Sequence, residues 1–141
     1  RTLADGSALG AAERWITGQG GDAAVWTDAR RRAAAPLVIP VGATRDGVVA
    51  RADAREIGLA HRGLGAGRLH PSQGVDYAVG VEVLVNVGDP VSAGEHVARV
   101  HARDAGLGER AVAGVGAAIT VGDGAVDPRR AGVEWLGAGD A

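Results

Sequence analysis

The chain has no cysteine, no methionine, no phenylalanine and no lysine. Without cysteine there can be no disulfide and no thiolate metal site, which agrees with a cytoplasmic protein. Without lysine the Gly-Lys-Ser/Thr phosphate loop is excluded. Aromatic residues make up 3% of the chain, so a core has to be assembled from Val, Ala, Leu and Ile. No apolar run reaches the ~18 residues a membrane-spanning helix needs, and no signal peptide is visible at the start. A net charge of −2 and a pI near 6.1 argue against a nucleic-acid surface. All 15 basic residues are arginines. Missing Lys, Met and Phe beside abundant Ala, Gly, Arg and Val fit a G+C-rich coding bias. The missing initiator leads us to expect a processed chain or a piece of something longer.

What is present suits one ordinary domain with a short attached piece: 141 residues, 46% of them hydrophobic. The 24 glycines show no three-residue period, which excludes collagen. Residues 3–21 read as one helix, with Asp5 or Ser7 as cap and Leu9, Ala12, Trp15 and Ile16 on one stripe. Gly18, Gly20 and Gly21 should stop it. Residues 22–35 read as a polar connector. Short Val-rich strands are expected at 37–41 and 47–52, then a helix over 53–61 capped by Asp53. Further strands are expected at 79–87, 95–102, 118–122 and 131–136. Residues 103–117 read as a helix interrupted by Gly106, Gly108, Gly114 and Gly116.

One stretch invites a chemical reading: GLGAGRLHPSQG, residues 63–74. A dinucleotide fingerprint needs G-x-G-x-x-G between a strand and a helix. Here Gly63, Gly65 and Gly67 follow a helix, and Arg68 stands where the pattern continues. A plain surface loop and a mobile segment that carries Arg68 to a polar or anionic group both remain open. The second motif, residues 85–102, places strands about Gly88-Asp89, with Val91 inward and Gly94 at a further turn. It resembles the hammerhead hairpin of biotinyl and lipoyl carrier domains, but the lysine that bears their cofactor is missing. The histidines at 61, 70, 96 and 101 form no metal-ligand spacing, so solvated or packed roles are expected. Asp76, Asp89 and Glu95 sit near turns and are expected to serve as caps.

Taken in order, several short motifs carry a family resemblance. They are Gln19-Gly20-Gly21-Asp22, Asp53-Ala54, Ile57-Gly58, Leu64-Gly65-Ala66-Gly67-Arg68, Val75-Asp76, Ala78-Val79-Gly80 and Val87-Gly88-Asp89. Together they resemble the C-terminal domain of thymidine and pyrimidine-nucleoside phosphorylases over roughly residues 1–122. Gln73 replaces an acidic residue of that pattern, and the tail after Asp123 matches weakly.

The resemblance implies an α+β fold: an α/β-hammerhead, a barrel-sandwich-like β-rich lobe with short helices, preceded by one helix of a large α/β domain. Residues 1–35 would be that helix and connector, 36–122 the C-terminal domain and 123–141 a tail. The parent would be a cytoplasmic homodimer that cleaves pyrimidine nucleosides with phosphate as co-substrate and without another cofactor. Its partners would be nucleoside and phosphate, with neither nucleic acid nor membrane. The family's phosphate- and base-binding residues lie upstream, so this chain would hold no catalytic residue and be inactive alone. Gly65, Ala66, Gly67 and Arg68 would form a cleft-closure loop. The alternative is a non-catalytic barrel-sandwich binding module.

Overall fold

The computed structural model describes residues 2–26, 28–68 and 70–124, so the strand expected over 131–136 lies outside the described residues. The chain divides into two compact units, residues 1–34 and 35–141.

The first unit carries helix α1, Ser7–Gly18, shorter than the expected 3–21. It starts late because Gly6, at φ +75°, breaks the helical path, while the Asp5 carboxylate accepts from Ser7 N at 2.9 Å. At the other end Gly20 adopts φ +79° and Gly21 N donates back to the Ile16 carbonyl at 2.9 Å. Of the expected apolar stripe, Leu9 and Trp15 remain 46% and 66% exposed, so this unit does not bury the helix by itself. The stretch read as connector contains two short 3-10 turns, Ala23–Val25 and Ala29–Arg31. Asp22 caps the first through Ala24 N at 2.9 Å and grips Arg31 at 2.8 Å.

The second unit mixes helix and antiparallel sheet, as the α+β expectation has it. Its elements are β1 (Leu37–Gly42), β2 (Gly47–Ala52), α2 (Ala54–His61), β3 (Gly80–Val83), β4 (Pro90–Val91), β5 (His96–Ala102), α3 (Ala105–Ala118) and β6 (Ile119–Gly122). They build two three-stranded sheets, in the orders β1-β5-β3 and β4-β2-β6.

Strand β5 is central in its sheet and the most buried of the three: Val97, Ala98, Val100 and Ala102 are all buried. Ile39 and Val81 lie opposite Val100 from the two sides. In the second sheet the fully buried Val49 of β2 plays the same part. With no phenylalanine available, the core is closed by small side chains, including Val91, Ala111, Val115 and Ile119. Small residues allow close approach, and α3 packs tightly onto β1 and β5.

Two expectations are corrected here. Helix α3 runs unbroken through all four glycines. A Cβ on Gly108 would lie 2.6 Å from Ile39 Cδ1 and 3.1 Å from Ala102 Cβ, so this glycine serves helix–sheet contact instead of a break. The strand expected over 79–87 keeps regular pairing only over Gly80–Val83. Beyond it the chain crosses to the other sheet. Gly88 N donates to the Val49 carbonyl and Val49 N to the Asp89 carbonyl, both at 2.9 Å, before β4 pairs with β2.

Candidate functional site

The glycine-rich stretch grows directly out of α2. Asp53 starts that helix by accepting from Arg55 N at 2.9 Å and Glu56 N at 3.2 Å, and Arg51 pairs with its other oxygen. These amides, led by that of Glu56, hold the Asp53 carboxyl below the ordinary aspartate value of 3.8. A folded value below the unfolded one means the stabilisation is complete above pH 3.8. It is lost as pH falls through the folded value. Asp53→Asn keeps a cap oxygen and removes the charge. Its melting temperature should lie a few degrees below that of the unmodified chain at neutral pH, and the gap should close in acid. Thermal melts across pH check this, and a gap that survives strong acid would refute the assignment.

After His61 the chain does not leave the helix as a loose loop. Arg62–Ala66 continue it as one wider, π-type turn. Leu64 inside this turn is buried, and Ala66 packs against the core. The turn ends because Gly65 adopts φ +100°, a conformation that favours glycine. Of the four expected site residues, Gly65 and Ala66 therefore belong to an anchored turn. Gly67 is extended and packs on Arg62, where a Cβ would meet Arg62 Cγ at 3.0 Å. Arg68 is exposed and makes no hydrogen bond or ion pair among the described residues.

The far side of the stretch is fixed by Asp76. Its amide donates to the Gly65 carbonyl at 3.0 Å, closing the chain on itself across residues 66–75. Its carboxylate accepts from Ala78 N at 3.0 Å, the cap role expected from sequence. It also receives both Nε and Nη2 of Arg103, the latter at 3.2 Å. Arg103 holds the Asp76 carboxyl below its usual range, with help from the Ala78 amide. The Arg103 contact escaped sequence reading because 27 residues separate the pair and no local period joins them.

The other expected cap residues sit where turn chemistry puts them. Asp89 accepts from Asn86 N at 2.7 Å beside Gly88 at φ +99°, and Glu95 accepts from Ser92 N at 2.9 Å beside Gly94 at φ +79°. Val91 is buried, as the hairpin pattern requires. His96 and His101 lie at the two ends of β5, opposite Gly42 and Val38. Among the described residues no three His, Asp or Glu side chains converge as metal ligands would.

A cavity of about 210 Å³ opens beneath the turn, lined by Ala60, Gly63, Leu107, Arg110 and Ala111. Its lining is mostly apolar, with Arg110 the one charged residue. Among the described residues no helix is long and apolar enough to cross a membrane.

Comparison with known proteins covers this same region. Residues 48–122 match the family model described as pyrimidine nucleoside phosphorylase C-terminal domain. The chain is 41% identical over 113 residues to a thymidine phosphorylase of Burkholderia lata, covering 79% of this chain and 26% of that protein. It is 38% identical over 122 residues to a thymidine phosphorylase of Mesorhizobium japonicum, covering 86% of this chain and 28% of that protein. A thymidine phosphorylase of Colwellia psychrerythraea is 40% identical over 86 residues, 61% of this chain and 20% of its own length. The chain thus spans about a quarter of the length of the curated relatives it matches.

Proposed function

Because the chain belongs to the family of pyrimidine nucleoside phosphorylase C-terminal domains, we propose that it is the C-terminal lobe of an enzyme that cleaves pyrimidine nucleosides with phosphate. In that reaction a phosphate oxygen bonds to the anomeric carbon of the sugar. The carbon–nitrogen bond to the base breaks, the base leaves with the bonding pair and takes up a proton, and (deoxy)ribose 1-phosphate remains. Phosphate is a co-substrate and no other cofactor enters. Residues 36–122 are the domain proper, with the α/β-hammerhead topology, and residues 1–35 are the approach from a larger α/β domain. The parent is a cytoplasmic homodimer.

The lobe's part in this reading is closure, and the chemistry belongs to the remainder of the parent. The carrying observation is Arg68: an exposed guanidinium, unpaired among the described residues, beside a turn that Leu64 anchors in the core. A fixed positive charge on a swinging segment can meet an opposing lobe or a polar substrate group when a cleft shuts. Shutting the cleft matters because water competes with phosphate for the anomeric carbon. Expelling it favours transfer over hydrolysis and holds the reactants in line.

The test is phosphate-dependent release of base from thymidine, deoxyuridine and uridine. The full-length parent and the 141-residue chain are assayed side by side. The parent should release base and the chain alone should not. A parent inert on all three nucleosides would overturn the reading, and an active fragment would overturn the placement of the chemistry.

A further inference from the structure

We infer that Asp76 is a positioning residue for the 66–75 segment: it clasps both feet of that segment to Arg103 and so fixes how Arg68 is presented. Only its consequence for turnover rests on the closure reading. The clasp itself is a property of the fold.

Four hydrogen bonds to three partners converge on this one residue. The backbone amide holds the near foot at the Gly65 carbonyl, 3.0 Å away. One carboxylate oxygen holds the far foot at Ala78 N, also at 3.0 Å. The two oxygens together take the planar fork of Arg103, a charge-assisted geometry that a single-point donor cannot reproduce. Arg103 is itself fixed by position. It follows β5 directly and precedes Asp104, which caps α3 through Leu107 N at 2.9 Å. Burial agrees with this division. Leu64 before the segment and Ala78 and Val79 after it are buried, whereas Arg68 and His70 within it are exposed. Local opening takes the path of least buried contact. With the feet held, Arg68 stands two residues from the anchored Ala66. Arg68 therefore moves on a short tether from a fixed origin. Weakening the fork loosens Asp76, to which both feet stay bonded, and Arg68 then samples orientations that cannot close on a target.

The experiment is hydrogen exchange with mass spectrometry on the full-length parent, comparing Asp76→Asn, Arg103→Ala and Arg103→Lys with the unmodified enzyme. Asparagine preserves the Ala78 acceptor and the Gly65 bond, so the fold survives and only the Arg103 fork is weakened. Amides of residues 64–79 should exchange on the order of fivefold faster in Asp76→Asn and Arg103→Ala, while those of β1 and β5 stay unchanged. Arg103→Lys should fall between, restoring charge without the fork. Equal exchange over 64–79 in all four proteins would overturn the clasp. The same variants are assayed for base release. The positioning role requires kcat to fall with KM nearly constant, and faster exchange with unchanged kcat would overturn it while leaving the clasp standing. A parent without phosphorylase activity would sink the functional reading alone, because exchange still reads the clasp.

Discussion

Gly47→Ala is expected to destabilise the fold by about 3 kcal/mol or more, because strain and a backbone clash fall on the same atom. Gly47 opens β2 at φ +150°, where a side chain is strained in any surroundings. A Cβ there would lie 2.4 Å from the Gly122 carbonyl oxygen and 2.9 Å from Val121 Cγ1. The first obstacle is main chain of the paired strand β6, so no rotamer change relieves it. The turn cannot retreat either, since Asp46 accepts from Ala93 N at 2.7 Å on the opposite side. Relief would have to come from β6, which carries the buried Ile119 and pairs with the fully buried Val49. The second sheet should loosen as a unit. Urea unfolding measures this, with Gly58→Ala as the contrast. Gly58 is exposed in α2, and a Cβ there meets nothing within 4 Å. Alanine at 58 should therefore add about 0.5–1 kcal/mol through helix propensity. Equal shifts of one sign for both variants would refute the clash argument.

Position 47 also shows where sequence reading stops. The strands expected at 37–41 and 47–52 leave room for only a tight turn before β2, and Arg45-Asp46-Gly47 has the chemistry for one. That a strand more than seventy residues later crowds this glycine is not legible there, because the constraint is made by β2–β6 pairing. The same division runs through the molecule. The Asp53 cap, the Gly88 and Gly94 turns and the inward Val91 were legible, since each depends on neighbours a few residues away. The length of β3 is not legible locally, because the apolar run from 79 to 87 serves two sheets and only long-range pairing decides where it changes allegiance. The glycines of α3 look like breaks from sequence because propensity sees their entropy and not the Ile39 side chain opposite Gly108. At the candidate site, the glycine stretch and Arg68 could be singled out from sequence. Its π-type turn, its Leu64 anchor and the Asp76–Arg103 pair needed coordinates.

Arg68→Ala in the full-length parent should lower kcat about 10- to 100-fold and leave stability untouched. Stability should hold because the guanidinium is exposed and unpaired among the described residues, so its removal strands no partner and opens no cavity. The kinetic effect should appear in kcat and kcat/KM together, because a contact formed only on closing stabilises the transition state without strengthening the open complex. Arg68→Lys tests what the target requires. A lysine restores the charge but not the planar fork, so partial rescue points to simple charge neutralisation and none points to bidentate recognition of an oxyanion or carboxylate. Water leakage provides the second signature. If the segment seals the cleft, the variant should release free (deoxy)ribose beside the sugar phosphate, in a ratio that rises as phosphate is lowered. Unchanged kcat in Arg68→Ala, at unchanged melting temperature, would remove the closure role and leave the 63–74 stretch as a clasped surface loop.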